Sequence, residues 1–434
     1  MKKHMKQIGA LALTAMISLA AAGCGAAAAG VDEIGWTQTG ITGAGVESAV
    51  SGIVEGTVGQ SDTGAAVATG LTGTDGFSDT ESLFSKRDLA QTPDLSEATT
   101  LVLESGKDVE LTSEGVYVIQ GTVSGTTLVV DAPEDAKVQL VLDGVSITNT
   151  DAPALYVKAG DKVFVTTSNT RNSLSVTGTF VPDGDTRLDA VIFSRSDITL
   201  NGTGTLSIRS ATGNGISSKD DLKITGGTYD LQTALDSLEA NDAILIHDGD
   251  LAIETGKDAL HCENDEDESL GSILIGGGSL QIRAADDGIR ANNLIQIDDG
   301  TLTIEACTEG IEATRVLING GTISITAQDD GINATMKIDA FPSITVNGGI
   351  LSVNMASGDT DAFDSNGSIT VNGGDITVTG MSAFDADGIA TLNGGNVVVN
   401  GQTLTQITQT GPGGFGGQRG GGNTGGGDRM QKRR

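Results

Sequence analysis

The stretch Asp287-Gly288-Ile289-Arg290-Ala291, continued by Leu294-Ile295-Gln296-Ile297-Asp298-Asp299-Gly300-Thr301-Leu302-Thr303-Ile304, decides the fold. About 22 residues later it returns as Glu309-Gly310-Ile311-Glu312-Ala313 and Val316-Leu317-Ile318-Asn319-Gly320-Gly321-Thr322-Ile323-Ser324-Ile325. A fixed period of about 20 to 50 residues marks a stack of small units, each covering its neighbour's apolar face. Here apolar residues alternate with Thr, Ser, Gln and Asp at period two, so each unit is made of short strands with one buried face.

Working outward from this phrase, the copies between 213 and 400 align into columns. The first is Ile216, Leu238, Leu260, Ile289, Ile311, Ile332, Phe363 and Phe384. Two more are Leu222, Ile244, Ile273, Ile295, Val316, Ile344, Ile369 and Ile224, Ile246, Ile275, Ile297, Ile318, Val346, Val371, Leu392. A turn column follows: Gly227, Gly249, Gly278, Gly300, Gly321, Gly349, Gly374, Gly395. Glycine there suits a bend at positive φ, where a Cβ clashes. Beyond it come Leu280, Leu302, Ile323, Leu351, Ile376 and their partners two residues on. Stacked strands lie about 4.8 Å apart, so each column becomes a ladder of like residues. Strand-like runs reach back to Leu101-Val102-Leu103. The spacing therefore predicts one elongated all-β domain over 95–402, a single-stranded parallel β-helix with coils of about 22 residues. A split into two domains near Asp185 is the competing reading. Insertions at 265–271 and 336–342 are expected as loops on one side of the rod.

The chain of 434 residues carries a formal charge of -32, 63 glycines and only 3% aromatics, with 38% hydrophobic residues. It is too apolar for wholesale disorder and too poor in aromatics for an ordinary globular core; a solenoid filled with Val, Ile and Leu reconciles these numbers. The acidity argues against nucleic acid or an anionic membrane surface as partner and favours cations. Residues 1–23 have the form of a secretion signal, with Lys2, Lys3 and Lys6 before an apolar run. The run ends Leu19-Ala20-Ala21-Ala22-Gly23-Cys24, which resembles a bacterial lipobox with Cys24 as the lipidated residue, although Ala21 stands where leucine is usual. Residues 24–94, rich in Gly, Thr, Ser and Ala, are expected as a flexible tether, and 403–434 as a glycine-rich basic tail. Cys262 and Cys307 fall at different places in coils two layers apart and are expected as free, buried thiols.

Two positions before the first column stand Asn214, Asp236, Asp258, Asp287, Glu309, Asp330, Asp361 and Ser382; one position after it come Ser217, Glu239, His261, Arg290, Glu312, Asn333, Asp364 and Asp385. In a stack these become two rows of outward carboxylates flanking one short strand. Like charges about 5 Å apart repel and raise their pKa values unless cations or hydrogen bonds compensate. Calcium takes six to eight oxygens and suits such rows. The candidate metal ligands are Asp236, Asp258, Asp287, Glu309, Asp330, Asp361, Asp364 and Asp385. The clusters singled out are Asp286 and Asp287 with Glu309, Asp329 and Asp330 with Glu312, Asp359, Asp361 and Asp364 with Asp385 and Asp387, and Glu263, Asp265 and Asp267 on an insertion. A merely solvated acidic face is the bland alternative. Arg290, Glu312, Asn333 and Asp364 are the candidate carbohydrate contacts, Arg290 being also a partner for Asp287 or Glu312. Asn319, Asn347, Asn372 and Asn393 are expected to form a turn ladder.

The phrases Asp330-Gly331-Ile332-Asn333-Ala334 and Asp364-Ser365-Asn366-Gly367-Ser368-Ile369-Thr370-Val371-Asn372-Gly373-Gly374, with 138–149 (VQLVLDGVSITN) and 215–227 (GISSKDDLKITGG), resemble those of bacterial carbohydrate-binding domain-containing proteins. That family is built on a right-handed parallel β-helix related to pectate lyases. The resemblance implies calcium sites, carried over most directly to Asp287, Asp330, Asp361 and Asp364, and binding of plant-type or acidic polysaccharide at a bacterial surface. Ser237, Ala259, Ala362 and Ala383 depart from the family's Asp-Gly-Ile glycine, and Ser382 from its acid. The leading expectation is a monomeric, non-catalytic binder on the extracellular face of the bacterial cell membrane, held by its lipid anchor alone, or else secreted after ordinary cleavage nearby. The runner-up is a calcium-dependent polysaccharide lyase, for which Lys257, Arg290 and Arg315 are the available bases. The third is a structural adhesin or spacer. With Trp36 in the tether and few aromatics in the coils, charged or hydroxyl-rich ligands are favoured over crystalline cellulose.

Overall fold

The computed structural model describes residues 76–358 and 360–407. Cys24, the signal segment, the tether up to 75, Asp359 and the tail from 408 lie outside the described residues. The described chain is a β-solenoid of about twelve turns. One short strand per turn builds a twelve-stranded sheet, and the longer strands build a twenty-two-stranded sheet that supplies the other faces. All pairings in the coils are parallel and connect each strand to its counterpart in the next coil. Among the described residues no helix is long and apolar enough to cross a membrane.

The predicted columns are the observed ladders. Ile216 pairs in register with Leu238, then Leu260, Ile289, Ile311, Ile332, Phe363 and Phe384 follow one another up the stack. Ile244, Ile273, Ile295, Val316, Ile344 and Ile369 do the same in the long sheet. These side chains fill a single continuous core, most of them 0–3% exposed, and the described residues fall in one compact unit with no division near Asp185. Cys262 and Cys307 are buried free thiols in that core. The turn glycines all have φ between 82° and 131°, as the bend demands. Successive coils meet closely there: a Cβ on Gly321 would lie 3.1 Å from the Gly300 carbonyl oxygen.

The asparagine ladder forms through side chains. Asn347 Nδ2 donates to Asn319 Oδ1 at 2.8 Å, Asn372 to Asn347 at 2.9 Å and Asn393 to Asn372 at 2.8 Å. The stack ends in an antiparallel hairpin, Asn396–Val399 with Gln402–Leu404, turned by Asn400 and Gly401 at positive φ. Its second strand reaches two residues past the predicted end of the rod.

Residues 76–94 do not behave as tether. They run as a strap over the outward face of the long sheet, where Phe77 and Phe84 are buried against Ala243, Leu245, Leu274 and Leu294. Asp88 ion-pairs with Lys162 at 2.7 Å, and Gln91 Nε2 donates to the Leu89 and Thr225 carbonyls at 3.1 and 2.8 Å. The cause is legible in Ile244-Leu245-Ile246 and Ile273-Leu274-Ile275, continuous apolar runs that break the alternation because both faces are covered.

Candidate functional site

The acid row sits where it does because a short carboxylate or amide spans one coil spacing. Asn214 Oδ1 accepts the Asp236 N–H, Asp236 Oδ1 that of Asp258, Asp258 Oδ1 that of Asp287, and Asp330 Oδ1 that of Asp361, each at 3.0 Å. This role corrects the expectation of outward carboxylates. Asp236 and Asp287 are 4% exposed and Asp258 is 0% exposed; capping the next coil's amide draws Asp236 and Asp258 into the turn, and Asp287 lies within 4.8 Å of Asp258. One oxygen is used in the cap, and the second is left for other partners.

Around Asp236 those partners are cationic. Lys257 Nζ lies 2.8 Å from Asp236 Oδ2 and 3.5 Å from Asp258 Oδ2. His261 has Nδ1 at 3.2 Å from Asp236 Oδ2 and Nε2 at 3.0 Å from Glu263 Oε2. Burial lowers the imidazole's proton affinity, but its hydrogen bond and attraction to Asp236 outweigh this and raise it. One coil on, Arg290 lies between Asp287 at 3.6 Å and Glu312 at 3.8 Å, the ion pairs expected of it.

Further along, acids outnumber cations. Burial, followed by the charges of Asp258, Glu309, Glu312 and Asp286, pushes Asp287 up to about 8. Burial and Glu312 push Glu309 up to about 7, against the amide of Asn333. Burial raises Asp330 to about 6, and burial with Asp330, Asp361 and Asp385 raises Asp364 to about 7. Buried Glu312 is held by Lys337 at 2.7 Å. Asn333 donates to Glu309 at 3.0 Å, yet its Oδ1 is buried with no hydrogen-bond partner, as is Asp258 Oδ2.

The predicted ligands are thus on one strip, but their grouping differs from the spacing argument. Asp286 and Asp287 come within 4.8 Å of Asp258 as a three-carboxylate set, since the stagger between coils favours the preceding layer over Glu309. Asp330, Asp361, Asp364 and Asp385 share a field without, among the described residues, forming so tight a set. On the first insertion Glu263 turns to His261, while Asp267 caps its own loop through Ser269. The two insertions lie on the same side, joined where Asp339 N–H donates to Glu268 at 3.2 Å. A cleft of about 640 Å³ beside the first is lined by Lys219, Glu239, Asp242, His261, Glu263 and Asp267 among others. Sequence reasoning missed a further carboxylate set, Asp197, Asp220 and Asp221, at another corner of the coil. Burial raises Asp197 to about 6 and Asp221 to about 7. The signal was an aspartate opening a strand in successive coils.

The profile of the carbohydrate-binding domain-containing proteins matches residues 105–362, more than half of the chain, and the chain belongs to that family. A relative of the same description in Acetivibrio thermocellus is 36% identical over 126 residues, 28% of this chain and 44% of that protein. The match therefore spans less than half the relative's length. Among solved structures, a polysaccharide lyase-like protein from C. thermocellum, a gadolinium derivative, is similar at 27% identity. That likeness covers 61% of this chain and 87% of that one, with a TM-score of 0.38.

Proposed function

We propose that this chain binds polysaccharide bearing carboxylates, through calcium held on the acid strip, without cleaving it. One observation carries the reading: Asp258, Asp286, Asp287, Glu309 and Glu312 crowd one point, with Arg290 in their midst. Carboxylates packed so closely either hold protons or hold a cation. The available carboxylate and amide atoms are oxygens, including Asp258 Oδ2 and Asn333 Oδ1, both buried without a hydrogen bond, which is calcium's donor chemistry. Asp258 and Asp287 with Asp286 are the best-formed ligand set. Asp236, Glu309, Asp330, Asp361, Asp364 and Asp385 extend the row, and Arg290, Glu312, Asn333 and Asp364 face the glycan. Calcium on the strip would supply positive charge that bridges protein carboxylates to sugar carboxylates. In this reading the Cys24 lipid anchor holds a monomeric rod at the bacterial surface.

Retention of the chain on polygalacturonate, with calcium and then with chelator, tests this. Calcium-dependent retention is expected, and D258N with D287N should abolish it while leaving the chain folded. Equal retention in chelator would reject the metal's role. A lyase would instead release unsaturated products absorbing in the ultraviolet; the basic side chains beside the strip, Lys257 and Arg290, are tied to carboxylates, and no such absorbance is expected.

A further inference from the structure

Lys257 occupies an unusual place. Its ammonium lies 2.8 Å from Asp236 Oδ2, 3.5 Å from Asp258 Oδ2 and 3.5 Å from His261 Nδ1. The three acceptor residues place one ligand atom each within 4.8 Å of one another. A positive ion thus stands at the convergence of an imidazole nitrogen and two carboxylate oxygens. Asp258 is fully buried, and its Oδ2, aimed into this group, makes no hydrogen bond. On the far side of the ring, Glu263 Oε2 is 3.0 Å from His261 Nε2. A carboxylate on the other ring nitrogen holds a proton at Nε2, so that Nδ1 is the nitrogen that would ligate once a cation displaces Lys257 and the Nδ1 proton, the arrangement found behind metal-bound histidines. His261 and Glu263 also line the cleft, which gives an ion a way in and leaves room for a water or sugar hydroxyl to complete its shell.

The donor set is not calcium's. Calcium is a hard cation that takes oxygens, whereas one imidazole with two carboxylates suits borderline ions such as zinc. We propose that Asp236, Asp258 and His261 form a second, chemically distinct site for a zinc-class divalent cation, with Lys257 as the resident cation that swings aside to admit it. Asp258 is common to this set and to the Asp286 and Asp287 set; the His261 imidazole is the one nitrogen donor in the two. The side chain of Lys257 is 38% exposed, so its ammonium has solvent to move into.

Cobalt titration of the chelator-treated full chain reads this site. An imidazole-containing site of low coordination number colours strongly in the visible, and an octahedral all-oxygen site barely does. The wild type should take up one strongly coloured Co²⁺ that Zn²⁺ bleaches. Removing the competing charge with Lys257→Met should tighten uptake by about tenfold, equivalent to about 1.4 kcal/mol. His261→Gln should lose the colour and keep calcium-dependent retention on polygalacturonate, which separates this site from the calcium reading. A colourless titration of folded wild type, colour that survives in His261→Gln, or a folded Lys257→Met no tighter than wild type would each overturn the proposal. Far-UV circular dichroism establishes folding, and if Lys257→Met does not fold, the wild type and His261→Gln decide alone.

Discussion

Asp287→Asn keeps a side chain's shape and removes its charge. Asp287 is 4% exposed. Burial, then Asp258, Glu309, Glu312 and Asp286, raise its carboxyl from 3.8 to about 8. A carboxyl that binds its proton more tightly in the fold than in the unfolded chain adds stability that is fully present below the unfolded value. That contribution is lost as pH rises through the folded value. The interval from 3.8 to about 8, at about 1.4 kcal/mol per tenfold change in proton affinity, bounds the loss at about 6 kcal/mol. Because the neighbouring acids share protons and respond to one another, a single substitution should recover about 2–3 kcal/mol of it. Metal-free wild type is therefore expected to lose stability between about pH 4 and about pH 9. Asp287→Asn should match it at the acid end and exceed it at the alkaline end. Urea unfolding followed by circular dichroism, in chelator, measures this. Added calcium should reverse the order near neutral pH, because the variant has lost a ligand. Superimposable profiles for variant and wild type in chelator would refute the reasoning.

Two further substitutions probe the scaffold. Phe84→Ala uncovers Leu245 and Leu274 beneath the strap and should cost about 3 kcal/mol, with a rise in hydrophobic-dye fluorescence; unchanged stability and fluorescence would mean the strap is not part of the packed unit. Gly321→Val forces a branched side chain to φ 84° with its Cβ 3.1 Å from a carbonyl oxygen of the coil below. It should cost about 1–3 kcal/mol in a thermal melt, whereas Thr322→Val, next to it and exposed, should be near neutral.

The coils were legible because a stacked strand repeats its burial every turn. Ile289, Ile311 and Ile332 announce one ladder by spacing alone, and Gly300 and Gly321 mark the bend between ladders. What spacing does not carry is the direction of a side chain at a turn. Asp236 and Asp258 alternate correctly for an outward row, yet their oxygens turn to cap the next amide, and that bond belongs to two coils and not to one segment. The grouping of Asp258 with Asp286, and of Lys257 with His261, depends on stagger between layers for the same reason. The strap escaped because the low-complexity stretch before it hides Phe77 and Phe84, although Leu245 and Leu274 on the covered face already pointed to a missing partner.

If calcium bridges strip and glycan, each must strengthen the other's binding by the same factor, since coupling between two ligands is reciprocal. Calorimetric titration of the chelator-treated chain with calcium, alone and with saturating polygalacturonate, measures this directly. Calcium affinity should be higher in the presence of glycan, matched by an equal gain in glycan affinity when calcium is present. Calcium affinity that is unchanged by glycan would contradict it.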